Sequence, residues 1–188
     1  MPQKLDSRSQ ELLLEIARQA LADAVKGQKP SEIELKSLPE DLQADGAAFV
    51  TLTIGGELRG CIGSLEAWRP LIREVQARTA DAALHDPRFN PVSPEELNLI
   101  DIEVSYLTPP QILQYSRPDE LPGMLRPGID GVVLGLGARK ATFLPQVWEQ
   151  LPSPDAFLRH LCQKAGLPPD IWKKQVLDIS LYQVQEIR

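Results

Sequence analysis

Cysteine and histidine are scarce in this chain. Cys61 and Cys162 are its two thiols, His85 and His160 its two imidazoles. The thiols stand too far apart for a paired C-x-x-C zinc site, and two do not make a disulfide framework. In a reducing cytosol both are expected to be free. Long apolar runs are missing as well. Every hydrophobic stretch is short and interrupted by charge, so none reads as a membrane span. The N-terminal leucine run carries acidic residues, unlike the uninterrupted apolar core of a signal peptide, and a cytoplasmic protein is the expectation. A basic excess is lacking too: 20 Lys and Arg against 26 Asp and Glu give a net charge of -6. That disfavours a nucleic-acid grip built on neutralising phosphates and leaves room only for a local basic groove.

Hydrophobic content is ample. At 43% of 188 residues it supports a proper core, in one domain or in two small lobes sharing one. Ser7 to Gln10 reads as a capping box. Behind it Leu12, Leu13, Ile16, Ala17, Ala20, Leu21 and Ala24 recur at helical spacing, and Lys26-Gly27 suits a helix end. Residues 28–46 are polar and proline-punctuated, a connection with little regular structure. The run 47–63, AAFVTLTIGGELRGCIG, predicts a hairpin turning at Gly55-Gly56. A helix follows Pro70, burying Leu71, Ile72, Val75, Ala82 and Ala83 with Thr79 on the same stripe. After it come a proline-rich loop and a second capping box, Ser93 with Glu96.

Residues 99–107 predict a strand with Ile100, Ile102, Val104 and Tyr106 on one face and Asp101, Glu103 and Ser105 on the other. The stretch from Pro109 to Pro127 reads as irregular. GIDGVVLGLGARKATFL (128–144) predicts a second hairpin, with GLGARK as its turn rather than a phosphate loop. A helix begins at or after Pro145, and another runs from the Ser153 cap through Cys162 to Gly166. VLDISLYQV (176–184) predicts one alternating strand. Helices and hairpins interleave without βαβ units, so the expected class is α+β, a mainly antiparallel sheet with flanking helices.

Chemistry concentrates around LRGCIGSL (58–65). Cys61 there is either a small apolar filler on a strand or a reactive thiol. Gly60 and Gly63 beside it suggest bare backbone, a bulge or a close approach by another group. On a regular strand Arg59 shares a face with Cys61 and favours its thiolate; a bulge at Gly60 would separate them. HDPRF (85–89) offers Asp86 as a turn acceptor or proton carrier, and Arg88 as a carboxylate partner or an anion-binding fork. His85 fits a surface or capping role better than a general base. Glu103 is a solvated carboxylate unless its face lines a cleft. Cys162, at helical spacing with Leu158 and Leu161, belongs to the core.

Six stretches in order resemble the AMMECR domain family, known in prokaryotes as protein A of the AmmeMemoRadiSam system. They are LRGCIGSL, DPRFNPVSPEEL (86–97), IEVSYLTPP (102–110), GIDGVVL (128–134), TFLPQVW (142–148) and FLRHLCQKAGL (157–167). Ser64 stands where threonine is usual, and Asp130 where some members carry histidine, which weakens any mechanism needing a base there. The resemblance implies one AMMECR-type domain over 1–188, with two unequal lobes, a smaller one formed by parts of 85–150, and the signature stretch near a groove between them. It also implies partners, a Memo-like protein and a radical S-adenosylmethionine protein, and leaves the cofactor unknown.

Two functional readings follow. In one, the protein is an enzyme or enzyme subunit handling a small molecule. Cys61 is then nucleophile or redox thiol, Glu103 or Asp86 moves protons, and Arg59, Gly60, Gly63, Asp86 and Arg88 form the binding surface. In the other, the glycine-flanked strand docks a protein without catalysis. Nucleic-acid binding stands behind both and would need Arg59, Arg88, Arg139 and Lys140 in one groove.

Overall fold

In a computed structural model, which describes residues 4–188, the chain folds into two compact units. The first comprises residues 4–107 with Gln185–Arg188; the second is Thr108–Val184.

The first unit builds a sheet from β1 (Ala47–Ile54), β2 (Glu57–Gly63) and β3 (Ile100–Leu107), with β8 (Val184–Ile187) added from the chain's end. Strand order is β2-β1-β3-β8, and β1 pairs antiparallel with both β2 and β3. Helices α1 (Ser7–Val25) and α3 (Leu71–Leu84) cover the apolar face, and the short α2 (Glu40–Gln43) packs against α3. Leu13, Leu21, Val50, Leu52, Ile72, Val75 and Val104 form the centre of this core. The helical stripes and the alternation of β3 thus fall where their periodicity puts them. The hairpin turns at Gly55 and Gly56, with φ of 58° and 85°, the left-handed pair a two-residue loop demands.

One helix start differs from expectation. The cap of α1 is Asp6, whose Oδ1 accepts the Ser9 N–H at 2.8 Å, while Gln10 bonds Leu5 O. A carboxylate one residue upstream supplies the stronger acceptor, so the Ser7–Gln10 capping box does not form.

The second unit holds β4 (Gln111–Ile112), β5 (Gly131–Leu136), β6 (Arg139–Phe143) and β7 (Asp178–Tyr182), in the order β4-β7-β5-β6 with antiparallel pairs. Helix α5 (Pro154–Lys164) packs on this sheet and α4 (Leu121–Met124) touches α5. Its core gathers Leu134, Trp148, Phe157, Leu158, Leu161, Cys162 and Ile179, and the Trp148 and Phe157 rings stack at 3.7 Å. Ser153 caps α5 by accepting the Ala156 N–H, and Gly166 ends it at φ 71°. GLGARK turns a hairpin at Gly137, as its place between strands predicts.

The expected single strand 176–184 is in fact two, broken at Gln183. Gln183 exchanges hydrogen bonds with Thr108, its N–H donating to Thr108 Oγ1 and its carbonyl accepting the Thr108 N–H. That local exchange takes residue 183 out of the ladder, leaving β7 in one sheet and β8 in the other. Among the described residues no helix is long and apolar enough to cross a membrane.

Candidate functional site

Within RGCIG, Arg59, Gly60, Cys61 and Gly63 each meet a different neighbour. Leu52 stands opposite Gly60 and Thr53 opposite Leu58, so Arg59 is the extra residue of a β-bulge. The bulge falls at Arg59, one position before the Gly60 that sequence suggested. Arg59 forms a fork on Glu96, with Nε to Oε1 at 2.7 Å and Nη2 to Oε2 at 3.0 Å, and its Nη1 donates to Asn90 O at 2.9 Å. Glu96 also accepts the Ser93 N–H, the capping role its spacing indicated. The Arg59 guanidinium holds the Glu96 carboxyl down at about 2. Arg59 thus ties β2 to the 90–96 loop and has little fork left for an anion.

Gly60 and Gly63 are not open backbone. A Cβ at Gly60 would lie 2.2 Å from the Ala82 carbonyl oxygen, and one at Gly63 would lie 2.3 Å from the Phe49 ring. Gly60 admits the last turns of α3 against β2. That approach sets Asp86, just past the helix end, beside the outer edge of Cys61.

There Asp86 and Arg88 close a clasp on the edge strand. Asp86 Oδ2 accepts the Cys61 N–H at 2.9 Å, and Arg88 Nη2 donates to the Cys61 carbonyl at 3.3 Å. The two side chains do for β2 what a neighbouring strand would do, satisfying an otherwise bare edge. Within the clasp Arg88 Nε meets Asp86 Oδ1 at 2.9 Å, Nη2 meets Oδ2 at 2.7 Å, and the Arg88 N–H adds a fourth bond. The Arg88 guanidinium, helped by the Cys61 and Arg88 backbone N–H groups and opposed by burial, holds the Asp86 carboxyl well below the usual carboxylate range. The clasp thus favours the ionised form of Asp86, with both of its oxygens engaged by hydrogen bonds.

The thiol itself lies on the polar face of the sheet. Cys61 is half-buried, and Thr51 Oγ1 donates to its Sγ at 3.3 Å. Thr51 pairs with Cys61 on one side and with Glu103 on the other, so the three form a row across β2, β1 and β3. Cross-strand partners share a face. Two strand spacings of about 4.8 Å put Glu103 near 10 Å from Cys61, beyond direct proton exchange. Glu103 pairs with Arg188 at 2.5 Å and lines a cavity of about 460 Å³ with Arg18, Thr51, Thr53, Asp101 and Arg188. His85 is exposed and bonded to Asp81 at 3.1 Å. Cys162 is buried, and burial pushes its thiol up.

The structure thus brings Cys61 together with Asp86 and Arg88 through its backbone, and with Thr51 and Glu103 through its face. Arg59 is committed elsewhere. Thr51 was not legible as a partner, because only the hairpin register places it opposite Cys61. The Arg59–Glu96 fork was hidden too, since it joins residues 37 apart. No group of three or more His, Cys, Asp or Glu suited to a metal ion occurs among the described residues.

The AMMECR1 family model matches residues 14–187. A protein of Methanothermobacter thermautotrophicus is 39% identical over 178 residues, covering 92% of this chain and 90% of its own. Protein MJ0810 of Methanocaldococcus jannaschii is 37% identical, over 90% of this chain and 84% of its own. The crystal structure of the uncharacterised Pyrococcus horikoshii protein PH0010 superposes with a TM-score of 0.75. It is 32% identical and covers 97% of this chain and 92% of that one.

Proposed function

This chain belongs to the AMMECR1 family, and on that premise we propose that its Cys61-bearing sheet face handles a small molecule, as an enzyme or enzyme subunit. Memo-like and radical S-adenosylmethionine proteins of the AmmeMemoRadiSam system are its proposed partners, and the cytoplasm its setting. One observation carries the reading. The Cys61 backbone is fixed on both edges, by β1 and by the Asp86–Arg88 clasp, while its thiol stays half-open beside Thr51. A nucleophile needs this combination of rigid mounting and access.

Cys61 would add to the electrophilic carbon of a polarised double bond: the S–C bond forms as the π bond breaks, and the thiol proton passes through solvent water to the ligand atom that takes up the electron pair. Thr51 orients the sulfur through its hydroxyl. Glu103, one further strand away, suits the far end of a bound ligand rather than the thiol proton. Docking of a partner strand along β2 at Cys61 is the weaker reading, because the clasp already occupies that edge. Nucleic-acid binding is weaker still: Arg59 and Arg88 face Glu96 and Asp86, and Arg139 bonds the Gly166 carbonyl.

The test is intact-mass spectrometry of the folded protein after incubation with a small-molecule extract, alone and with the two partner proteins. A mass adduct on Cys61, or a metabolite converted by the wild type and not by Cys61→Ser, is expected. Identical behaviour of wild type and Cys61→Ser in every mixture would remove the nucleophile and leave the interaction module.

A further inference from the structure

The second unit holds an arginine mounted in a way the Cys61 face does not use. Asp130 is 0% exposed, and all the hydrogen bonds of its side chain go to one residue. Its Oδ2 accepts the Arg126 N–H at 2.9 Å and Nε at 3.0 Å, and its Oδ1 accepts Nη2 at 2.6 Å. The backbone of Asp130 is pinned as well: its N–H donates to Arg126 O, and its carbonyl accepts Trp148 Nε1 at 2.7 Å. The Arg126 side chain nevertheless remains 56% exposed. A guanidinium has five N–H donors, and Asp130 takes two of them. Nη1 has no partner among the described residues, so the outer fork of Arg126 is fixed in direction and free in bonding.

Arg126 lines a cavity of about 300 Å³ within this unit. Ile112, Leu113 and Leu181 supply apolar wall, Gln111 and Gln183 supply amides, and Asp130 is its one acidic lining residue. The Asp130 oxygens are already consumed, so they repel an incoming anion only at a distance. The Tyr182 hydroxyl is committed to Thr142 and to the Phe143 carbonyl. An apolar cavity with one convergent charged donor is the usual form of a small-molecule site.

We propose that Arg126, held by buried Asp130, binds a small monocarboxylate whose apolar body lies against Ile112, Leu113 and Leu181. The Arg–carboxylate fork sets the head group. Asp130 behind it cancels most of the charge, so a second negative charge on the ligand gains nothing and a monoanion is preferred over a dianion. The site is independent of the reading of Cys61.

Hexanoate, hexanamide and hexyl phosphate, titrated at fixed ionic strength into the full chain, test it by amide and guanidinium NMR. Saturable shifts at Ile112, Leu113 and Arg126 Nε–H are expected with hexanoate, and binding at least about tenfold weaker with hexanamide, which lacks the charge-assisted fork. The double variant Arg126→Gln/Asp130→Asn replaces the ion pair by two amides, avoids a lone buried carboxylate, and should bind the acid no better than the amide. Absence of saturable shifts, equal binding of hexanoate and hexanamide, or unchanged selectivity in the double variant would overturn the site. Tighter binding of hexyl phosphate would overturn the monocarboxylate assignment. The comparison of hexanoate with hexanamide on wild type decides the matter even if the double variant does not fold.

Discussion

The two units each contain a buried aspartate forked onto an exposed arginine, and they use the pair differently. Asp86 and Asp130 have side chains 2% and 0% exposed, against 53% and 56% for Arg88 and Arg126. Asp86 divides its oxygens between Arg88 and the Cys61 N–H, and Arg88 reaches the Cys61 carbonyl. Asp130 gives both oxygens to Arg126 and its backbone alone. The first pair therefore joins two parts of the fold, with its energy spent on mounting a thiol. The second is self-contained and leaves an oriented fork unspent. The same residues serve as brace or as binding element, according to whether a backbone edge lies within reach.

Breaking the pairs from the arginine side sharpens this contrast. Arg126→Gln strands a fully buried carboxylate with one backbone donor, and urea unfolding should show a loss of about 3–5 kcal/mol. Arg88→Gln leaves Asp86 with two backbone donors and should cost less. Equal losses would mean that the backbone bonds of Asp86 contribute nothing, and the brace would lose its basis. Gly60→Ala comes next: a methyl against the Ala82 carbonyl must push α3 from β2, at a cost of about 1–3 kcal/mol. It should also speed hydrogen exchange at the Cys61 amide, because Asp86 rides on the end of α3. Protection unchanged from wild type would detach the glycine from the clasp.

A further test concerns acid. Glu96 titrates near 2 when folded against an ordinary value of 4.5, so its ionised form is favoured by the fold. A lowered carboxylate contributes stability above the unfolded value and loses it as pH falls through the folded one. Wild-type stability should therefore decline from about pH 4.5 toward 2, and Glu96→Gln should flatten part of that decline. An unchanged slope in the variant would show that the Arg59–Glu96 fork does not hold in solution.

Much of the fold could be read from periodicity and turn chemistry. The stripe of α1, the alternation of β3 and the Gly55-Gly56 turn are local signals, and each fell where expected. The break at Gln183 could not be read, since it depends on Thr108, 75 residues away. The site divides in the same way. Cys61 stood out because a thiol between glycines is unusual in a chain with two cysteines. What the glycines do was hidden: Gly60 answers to a carbonyl of α3 and Gly63 to the Phe49 ring, contacts that need the assembled sheet. Asp86 and Arg88 were legible as a turn and an ion pair, but their grip on Cys61 spans 25 residues and depends on the bulge at Arg59.

The central claim is that the clasp presents the Cys61 thiol at a working surface while Cys162 is packing. Alkylation by iodoacetamide near neutral pH, followed residue by residue by mass spectrometry, tests it most directly. The account predicts that Cys61 is modified in the folded protein with Cys162 untouched, both reacting only in denaturant. Modification of Cys61 solely on the schedule of Cys162, through unfolding, would contradict it.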